Sequence, residues 1–229
     1  MGMAADRAGK RTASLRPASI VDGVYDNIYE RLMSLEIAPG ARIPIDVIAR
    51  DLDVSPTPVR EALSLLEREG LVRKAHLIGY SAAPQLTRKQ FDDLYTFRLL
   101  LEPEGARLAA LNMTTDTLKL LEDAAADMGH GDAPVDRTSR YSRFARADAD
   151  FHDAILKIAG NEVIRSTLFN QHVHLHIFRL MFHTRVTQEA LEEHEDLLVA
   201  FRAGDPLAAE AAMRNHILRS RDRLLSAFE

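Results

Sequence analysis

The chain of 229 residues contains no cysteine, which excludes disulfides and thiolate metal sites and suits a reducing compartment. No apolar run approaches the length of a membrane span. The first residues also lack a signal peptide's hydrophobic region, so a cytoplasmic protein without a membrane partner is expected. No internal repeat is apparent. A basic excess is missing too, since 29 Lys and Arg against 34 Asp and Glu give a formal charge of −5. That balance is not the mark of a nonspecific nucleic-acid binder. It is unevenly spread: residues 1–19 carry +3, residues 20–84 carry −3 and residues 85–229 carry −5. Residues 1–19, rich in Ala, Arg, Ser and Gly without periodicity, read as a disordered tail. The rest is long enough for two modest domains, each with its own core.

What the chain does contain is most specific at residues 54–74. Ser55 is a candidate N-cap, and Pro56 and Pro58 suit the first turn of a helix, where an amide donor is dispensable. Leu63, Leu66 and Leu71 mark a buried face, and Gly70 stops the helix. Upstream, Ile45, Val47, Ile48 and Leu52 form a short amphipathic helix that reaches Ser55 through a tight Asp53-Val54 link. Two short helices joined this way, with Arg60 facing outward near the second N-terminus, describe a helix-turn-helix. Leu71 to Lys74 and Gly79 to Ala82 follow as two strands of a wing. Specific binding needs basic groups only on the face that meets phosphate. Arg60, Arg73, Lys74 and His76 supply such a face, with Arg7, Lys10, Arg11 and Arg16 of the tail. Arg60 is the direct base-contact candidate, and Ser55 and Thr57 are expected to fix the phosphate register.

The run Val54-Ser55, Thr57-Pro58-Val59-Arg60-Glu61-Ala62-Leu63, Leu66-Glu67 and Glu69-Gly70-Leu71-Val72 resembles the signature of the GntR superfamily of bacterial transcription regulators. Two positions depart from that pattern. The family usually has Arg, commonly an operator contact, where this chain has Pro56. A basic residue is also common where Ile78 precedes Gly79.

A boundary falls near Ala83-Pro84, where Thr87 can cap a new helix. From there, helical periodicity dominates to the end. Breaks at Thr114-Thr115, 129–134, Gly160-Asn161, 184–187 and Gly204-Asp205-Pro206 leave about six helices, enough for an antiparallel bundle. The expected architecture is mainly α: a tail over 1–19, a winged helix-turn-helix over 20–83, and an all-α antiparallel bundle over 84–229.

Near residues 138–159, an inward stripe runs Phe144, Asp148, Phe151, His152, Ile155, Ala159. Asp150 and Asp153 fall on the other face, where solvent suffices. Asp148 and His152 interrupt an apolar face at i, i+4, where two side chains converge on one point. Buried without partners they would cost several kcal/mol, on the order of 1–3 for each group. His194 lies in the stripe Leu191, His194, Leu197, Leu198, Phe201, and His216 lies in Ala209, Ala212, Met213, His216, Ile217. One carboxylate and three imidazoles suit Zn²⁺, Ni²⁺, Mn²⁺ or Fe²⁺ without choosing among them.

Asp148-x-x-x-His152, Gly160-Asn161, Glu193-His194, Gly204-Asp205 and Met213-x-x-His216 are similar to the FadR C-terminal (FCD) ligand-binding domain. Its metal-binding branch holds a divalent cation through an Asp and three His at these positions. The resemblance therefore implies Asp148, His152, His194 and His216 as ligands. It also implies an effector, often a small organic acid, beside the metal. Arg98 matches a family arginine that tends to point into the cavity. With Glu102 at i, i+4, it reads either as a two-pronged carboxylate clamp or as half of a structural ion pair.

His172, His176, Arg179 and His183 share one face of a histidine-rich helix, with His174 directed elsewhere and exposed. His176 and Arg179 are the further effector contacts expected. Together these readings describe a homodimeric regulator, expected to be a repressor, that binds a palindromic double-stranded operator. A metal with open positions would also suit a hydrolase or lyase. Glu102 is the sole nearby general-base candidate, however, and an enzyme has no need of the helix-turn-helix, so no catalytic residues are expected. A third reading keeps the regulator but makes its metal purely structural.

Overall fold

The computed structural model describes residues 19–129, 137–180 and 184–228. The expected tail, apart from Ser19, lies outside the described residues, as do the break over 130–134 and His183.

The N-terminal part begins with α1 (Ile20–Met33), capped reciprocally by Ser19 and Asp22. Next come β1 (Arg42–Ile43), α2 (Ile45–Asp51), α3 (Pro56–Arg68), β2 (Val72–Ala75) and β3 (Gly79–Ala82). Asp53 takes the left-handed backbone, φ 53°, that turns the chain between α2 and α3. Gly70, at φ 70°, ends the α3 run. Val59, Leu63, Leu66 and Leu71 are fully buried against α1, whose Ile28, Leu32 and Met33 are equally buried. The wing is a three-stranded antiparallel sheet in the order β1-β3-β2, with Arg73 opposite Ser81 and Arg42 opposite Ser81 from the other side. Sequence patterning missed β1 because two residues are too few to show alternation.

Ser55 is the N-cap of α3, but its side chain makes no capping bond. An N-cap oxygen accepts from the amide two or three residues on. Pro58, at the third helical position, has no amide hydrogen to give. Ser55 and Thr57 therefore keep exposed side chains at the helix start.

Among the described residues, seven α-helices follow, where about six were expected: α4 (Arg88–Leu111), α5 (Thr115–Gly129), α6 (Arg137–Ala159), α7 (Glu162–Asn170), α8 (Val173–Phe178), α9 (Thr184–Ala203) and α10 (Pro206–Leu224). Thr87 caps α4, accepting from the Gln90 amide. The unforeseen break is at His172, which adopts φ 46°, ψ 39° and separates α7 from α8. Neither Gly nor Pro marks that position. Helices α4, α6, α9 and α10 bury Phe91, Tyr95, Phe151, Ile155, Leu197, Phe201 and Ile217 between them. Gly105 on α4 permits a close approach to α6, since a Cβ there would meet Leu156 Cδ2 at 2.4 Å. No helix among the described residues is long and apolar enough to cross a membrane.

Candidate metal centre and nucleic-acid interface

The apolar stripes of α6, α9 and α10 face one another, so the polar residues that interrupt them meet at one place. Asp148 and His152 come from α6, His194 from α9 and His216 from α10, and none is more than 4% exposed. The three imidazole centroids are 4.9–5.5 Å apart. One nitrogen from each ring lies within 4.8 Å of the others. Asp148 Oδ1 stands 3.3 Å from His194 Nε2, without hydrogen-bond alignment.

Two of the rings are held by carboxylates. His152 Nδ1 donates to Glu102 Oε2 at 2.8 Å, and His216 Nδ1 donates to Glu193 Oε2 at 2.9 Å. Donation from Nδ1 leaves the Nε2 lone pair free and fixes the direction in which it points. Among the described residues, His152 Nε2 and both nitrogens of His194 have no hydrogen-bond partner. Burial pushes the pKa of all three histidines below the usual value, so the rings are neutral at physiological pH. Burial opposes the charge on Asp148, yet the hydrogen bond and field of His174 and the neighbouring rings hold its pKa well below the carboxylate range. Neutral imidazole lone pairs converging on a carboxylate are what a divalent cation requires.

A second trio, Glu102, His152 and His174, is also close enough to hold an ion. In this trio His152 donates from Nδ1 to Glu102, one of the trio's own carboxylates, and His174 donates from Nδ1 to Asp148, so its polar atoms are already joined to one another and to the first cluster.

Arg98 and Glu102 are both buried and joined twice, Nε to Oε1 at 2.6 Å and Nη2 to Oε2 at 3.2 Å. Of the two readings of Arg98, the observed geometry is the ion pair. Burial weighs against the Glu102 charge, but Arg98 and His152 outweigh it and keep this carboxyl ionised.

His174 was expected on the exposed side. It instead donates from Nδ1 to Asp148 Oδ2 at 2.8 Å, with its ring 4.2 Å from that of His152. The break at His172 starts α8 on a new register, which turns His174 inward and His172 and His176 toward the N-terminal part. His172 Nε2 bonds the Arg68 carbonyl at 2.8 Å. His176 lies against Gly70, where a Cβ would be 3.2 Å from its Nε2. Arg179 is buried and donates from Nη2 to the Ala83 carbonyl at 2.8 Å. Burial alone lowers its pKa to about 10. His176 and Arg179 are thus drawn to the junction with the N-terminal part and are not gathered with the four clustered residues. Asp153, expected to be merely solvated, pairs with Arg165 at 2.9 Å.

Inside the bundle, the void beside Asp148, His174 and His216 is only about 10 Å³. Two larger spaces lie outside it: one of about 860 Å³ beside Gly70, Lys74, Leu86, Phe97 and His176, and a cleft of about 780 Å³ between α1 and α3 on one side and α6, α7 and α8 on the other, which reaches the cluster. Its inner end carries Glu102, His152 and His174, and its outer walls include Tyr25, Tyr29 and Arg68.

Ser55, Thr57 and Arg60 are exposed at the start of α3. Arg73, Lys74 and His76 are exposed along the wing. Leu77 and Ile78 form its tip, with Leu77 93% exposed at φ 63°. The two proline rings at the α3 start leave Ser55 and Thr57 as the amide donors of its first turn.

Comparison with known proteins matches residues 20–80 to the family described as "Bacterial regulatory proteins, gntR family". Residues 93–219 match the FCD domain. The chain is 30% identical over 218 residues to the HTH-type transcriptional regulator LutR of Bacillus subtilis, covering 85% of this chain and 96% of LutR. It is 24% identical to the HTH-type transcriptional repressor NanR of Klebsiella aerogenes, covering 90% of this chain and 86% of NanR. Among solved structures, E. coli McbR/YncC shares the fold with a TM-score of 0.64 at 22% identity, covering 92% and 99% of the two chains.

Proposed function

Since the chain belongs to the gntR family of bacterial regulatory proteins and carries an FCD domain, it is a DNA-binding transcription regulator rather than an enzyme, and we propose that it is a metal-containing, effector-responsive repressor. The observation that carries this reading is the set of unpartnered nitrogens of His152 and His194, aimed with His216 at one buried point beside Asp148. In this reading Asp148, His152, His194 and His216 hold one divalent cation, of the class Zn²⁺, Ni²⁺, Mn²⁺ or Fe²⁺. The cation supplies open coordination positions for a small organic acid. Glu102 and Glu193 hold His152 and His216 in the tautomer that ligation needs. Because Arg98 is occupied by Glu102, the acid depends on the metal rather than on Arg98 for its carboxylate contact. The cleft ending at Glu102, His152 and His174 has the room that the bundle interior lacks.

Reading of DNA is assigned to residues 20–83 and sensing to residues 84–229, with residues 1–19 as a tail. Two copies in a cytoplasmic homodimer would set two α3 helices into successive major grooves of a palindromic operator. Arg60 contacts base edges, while Ser55, Thr57, Arg73, Lys74 and His76 contact phosphate. An effector changes DNA affinity only through a differential affinity for the free and bound states. A repressor among the relatives supports release of DNA as the response.

The test is metal content. The purified protein is expected to bind one divalent ion per chain, and His194→Ala to lose most of it while keeping its helical content. Full occupancy in His194→Ala would remove that residue from the ligand set.

A further inference from the structure

Helix α8 has six residues, far fewer than the roughly 12–15 that a helix needs to persist alone in water. Its position is therefore set by what its ends and side chains hold. Three alternate histidines grip two different things. His174 donates to Asp148 Oδ2, whose other oxygen faces His194. His172 and His176, on the opposite side, meet the last turn of α3 and the glycine after it.

The contact at α3 has a particular chemistry. The last four carbonyls of a helix lack partners within it. Arg68 ends α3, and its carbonyl accepts a hydrogen bond from His172 Nε2. The helix that reads DNA is thus capped at its C-terminus by a side chain from the sensing bundle. His172 does this from a left-handed backbone, a strained conformation for a residue with a side chain. That conformation directs the chain from α7 into α8 and holds the ring over the α3 end. Gly70 leaves the space that His176 occupies. A parallel brace runs from the same region of α6. Arg146 lies over the rings of Tyr25 and Tyr29, at 5.0 and 4.4 Å, and Tyr25 donates to Glu69, the C-cap of α3, at 2.6 Å.

We propose that α8 is the relay between the metal centre and the DNA-reading helix, with His174 as a positioning residue for Asp148 and His172 as the cap through which α3 responds. This rests on the reading of Asp148 and the three clustered histidines as metal ligands. Asp148 divides its oxygens between the cluster and His174, so any change in what the cluster holds shifts what His174 holds. Because α8 is short and restrained at both faces, that displacement passes to His172 and His176 instead of dissipating within the helix. An occupant of the cleft would bear on the same element, since His172, Val173, His174 and Leu175 form part of its wall.

The test is hydrogen exchange by mass spectrometry on the full chain, loaded with Zn²⁺ or stripped by chelator, with Zn²⁺ stoichiometry measured on every sample. In the wild type, Zn²⁺ is expected to slow exchange over residues 66–72 by about fivefold or more. His172→Gly keeps the left-handed turn and removes the cap, so it should bind Zn²⁺ normally and lose that difference. His174→Ala should lose it as well, and His174→Asn, which keeps a donor toward Asp148, should restore part of it. A Zn²⁺-loaded wild type with unchanged exchange over 66–72 would overturn the relay while leaving the metal site standing. Retention of the difference in His172→Gly would do the same. A wild type that takes up no Zn²⁺ would remove the metal reading and the relay with it.

Discussion

Replacing the buried Arg98–Glu102 pair separates its two possible roles. Both side chains are 2% exposed and share two hydrogen bonds, and Glu102 also holds His152. Glu102→Leu would leave a buried guanidinium without its counter-charge and His152 Nδ1 without its acceptor. Removing one partner of such a pair costs about 3–5 kcal/mol. Arg98→Met leaves the Glu102 charge buried with only the His152 Nδ1 hydrogen bond beside it, so a loss of about 3 kcal/mol is expected. The double variant strands no charge and should be destabilised by about 2 kcal/mol or less, well below the sum of the singles. Urea denaturation of the chelated protein measures all three. Either variant lacking Glu102 should also bind its metal about 10–100-fold more weakly, because His152 is no longer oriented. A loss under about 1 kcal/mol for Arg98→Met, or strictly additive losses, would refute the ion-pair account and return Arg98 to the role of a free carboxylate clamp.

Further outcomes concern the reader and its junction with the bundle. Arg60→Ala should leave the fold and thermal midpoint unchanged, since Arg60 is exposed, while weakening binding to the preferred site by about 1–3 kcal/mol. Equal affinity of the two proteins for that site would sink the recognition assignment. Pro56→Arg should steepen the logarithmic salt dependence of DNA binding by about one unit through an added phosphate contact; an unchanged slope contradicts that geometry. His176 has its pKa lowered from 6.5 to about 4 by burial, with Arg179, His172 and Arg73 adding to the effect. Because the folded-state value lies below the unfolded one, its contribution is fully present above pH 6.5 and is lost as pH falls toward 4. His176→Gln should therefore flatten the acid-side decline in stability over that window by up to about 3 kcal/mol. Parallel pH profiles for variant and wild type would contradict this.

The parts of the molecule that were legible in the sequence are those where one chemical signal suffices. Leu63, Leu66, Leu71 and Gly70 mark the α3 helix by periodicity and by a residue that tolerates positive φ. Asp148, His152, His194 and His216 stand out as polar residues on apolar stripes, and each is buried as that pattern requires. What was not legible depended on partners distant in sequence. His172 breaks a helix without glycine or proline, because a carbonyl 104 residues away holds it there. That break reset the register of the next turn and moved His174 from the expected outer face to Asp148. His176 and Arg179 share a face with His172, so the same shift took them to the reader junction. Ser55 sits at the capping position without a side-chain capping bond, and Pro58 removes one of the two amides it could have accepted from.

In the proposed reading, this chain recognises a specific DNA sequence through α3 under the control of a metal-containing bundle. The most direct measurement is selection of genomic fragments by the full, metal-loaded protein, run beside Arg60→Ala and beside chelated protein. The wild type is expected to enrich one palindromic site, Arg60→Ala to lose that enrichment, and chelation to alter affinity for the same site. Failure of the metal-loaded wild type to enrich any sequence, or the same site selected equally well by Arg60→Ala, would contradict it.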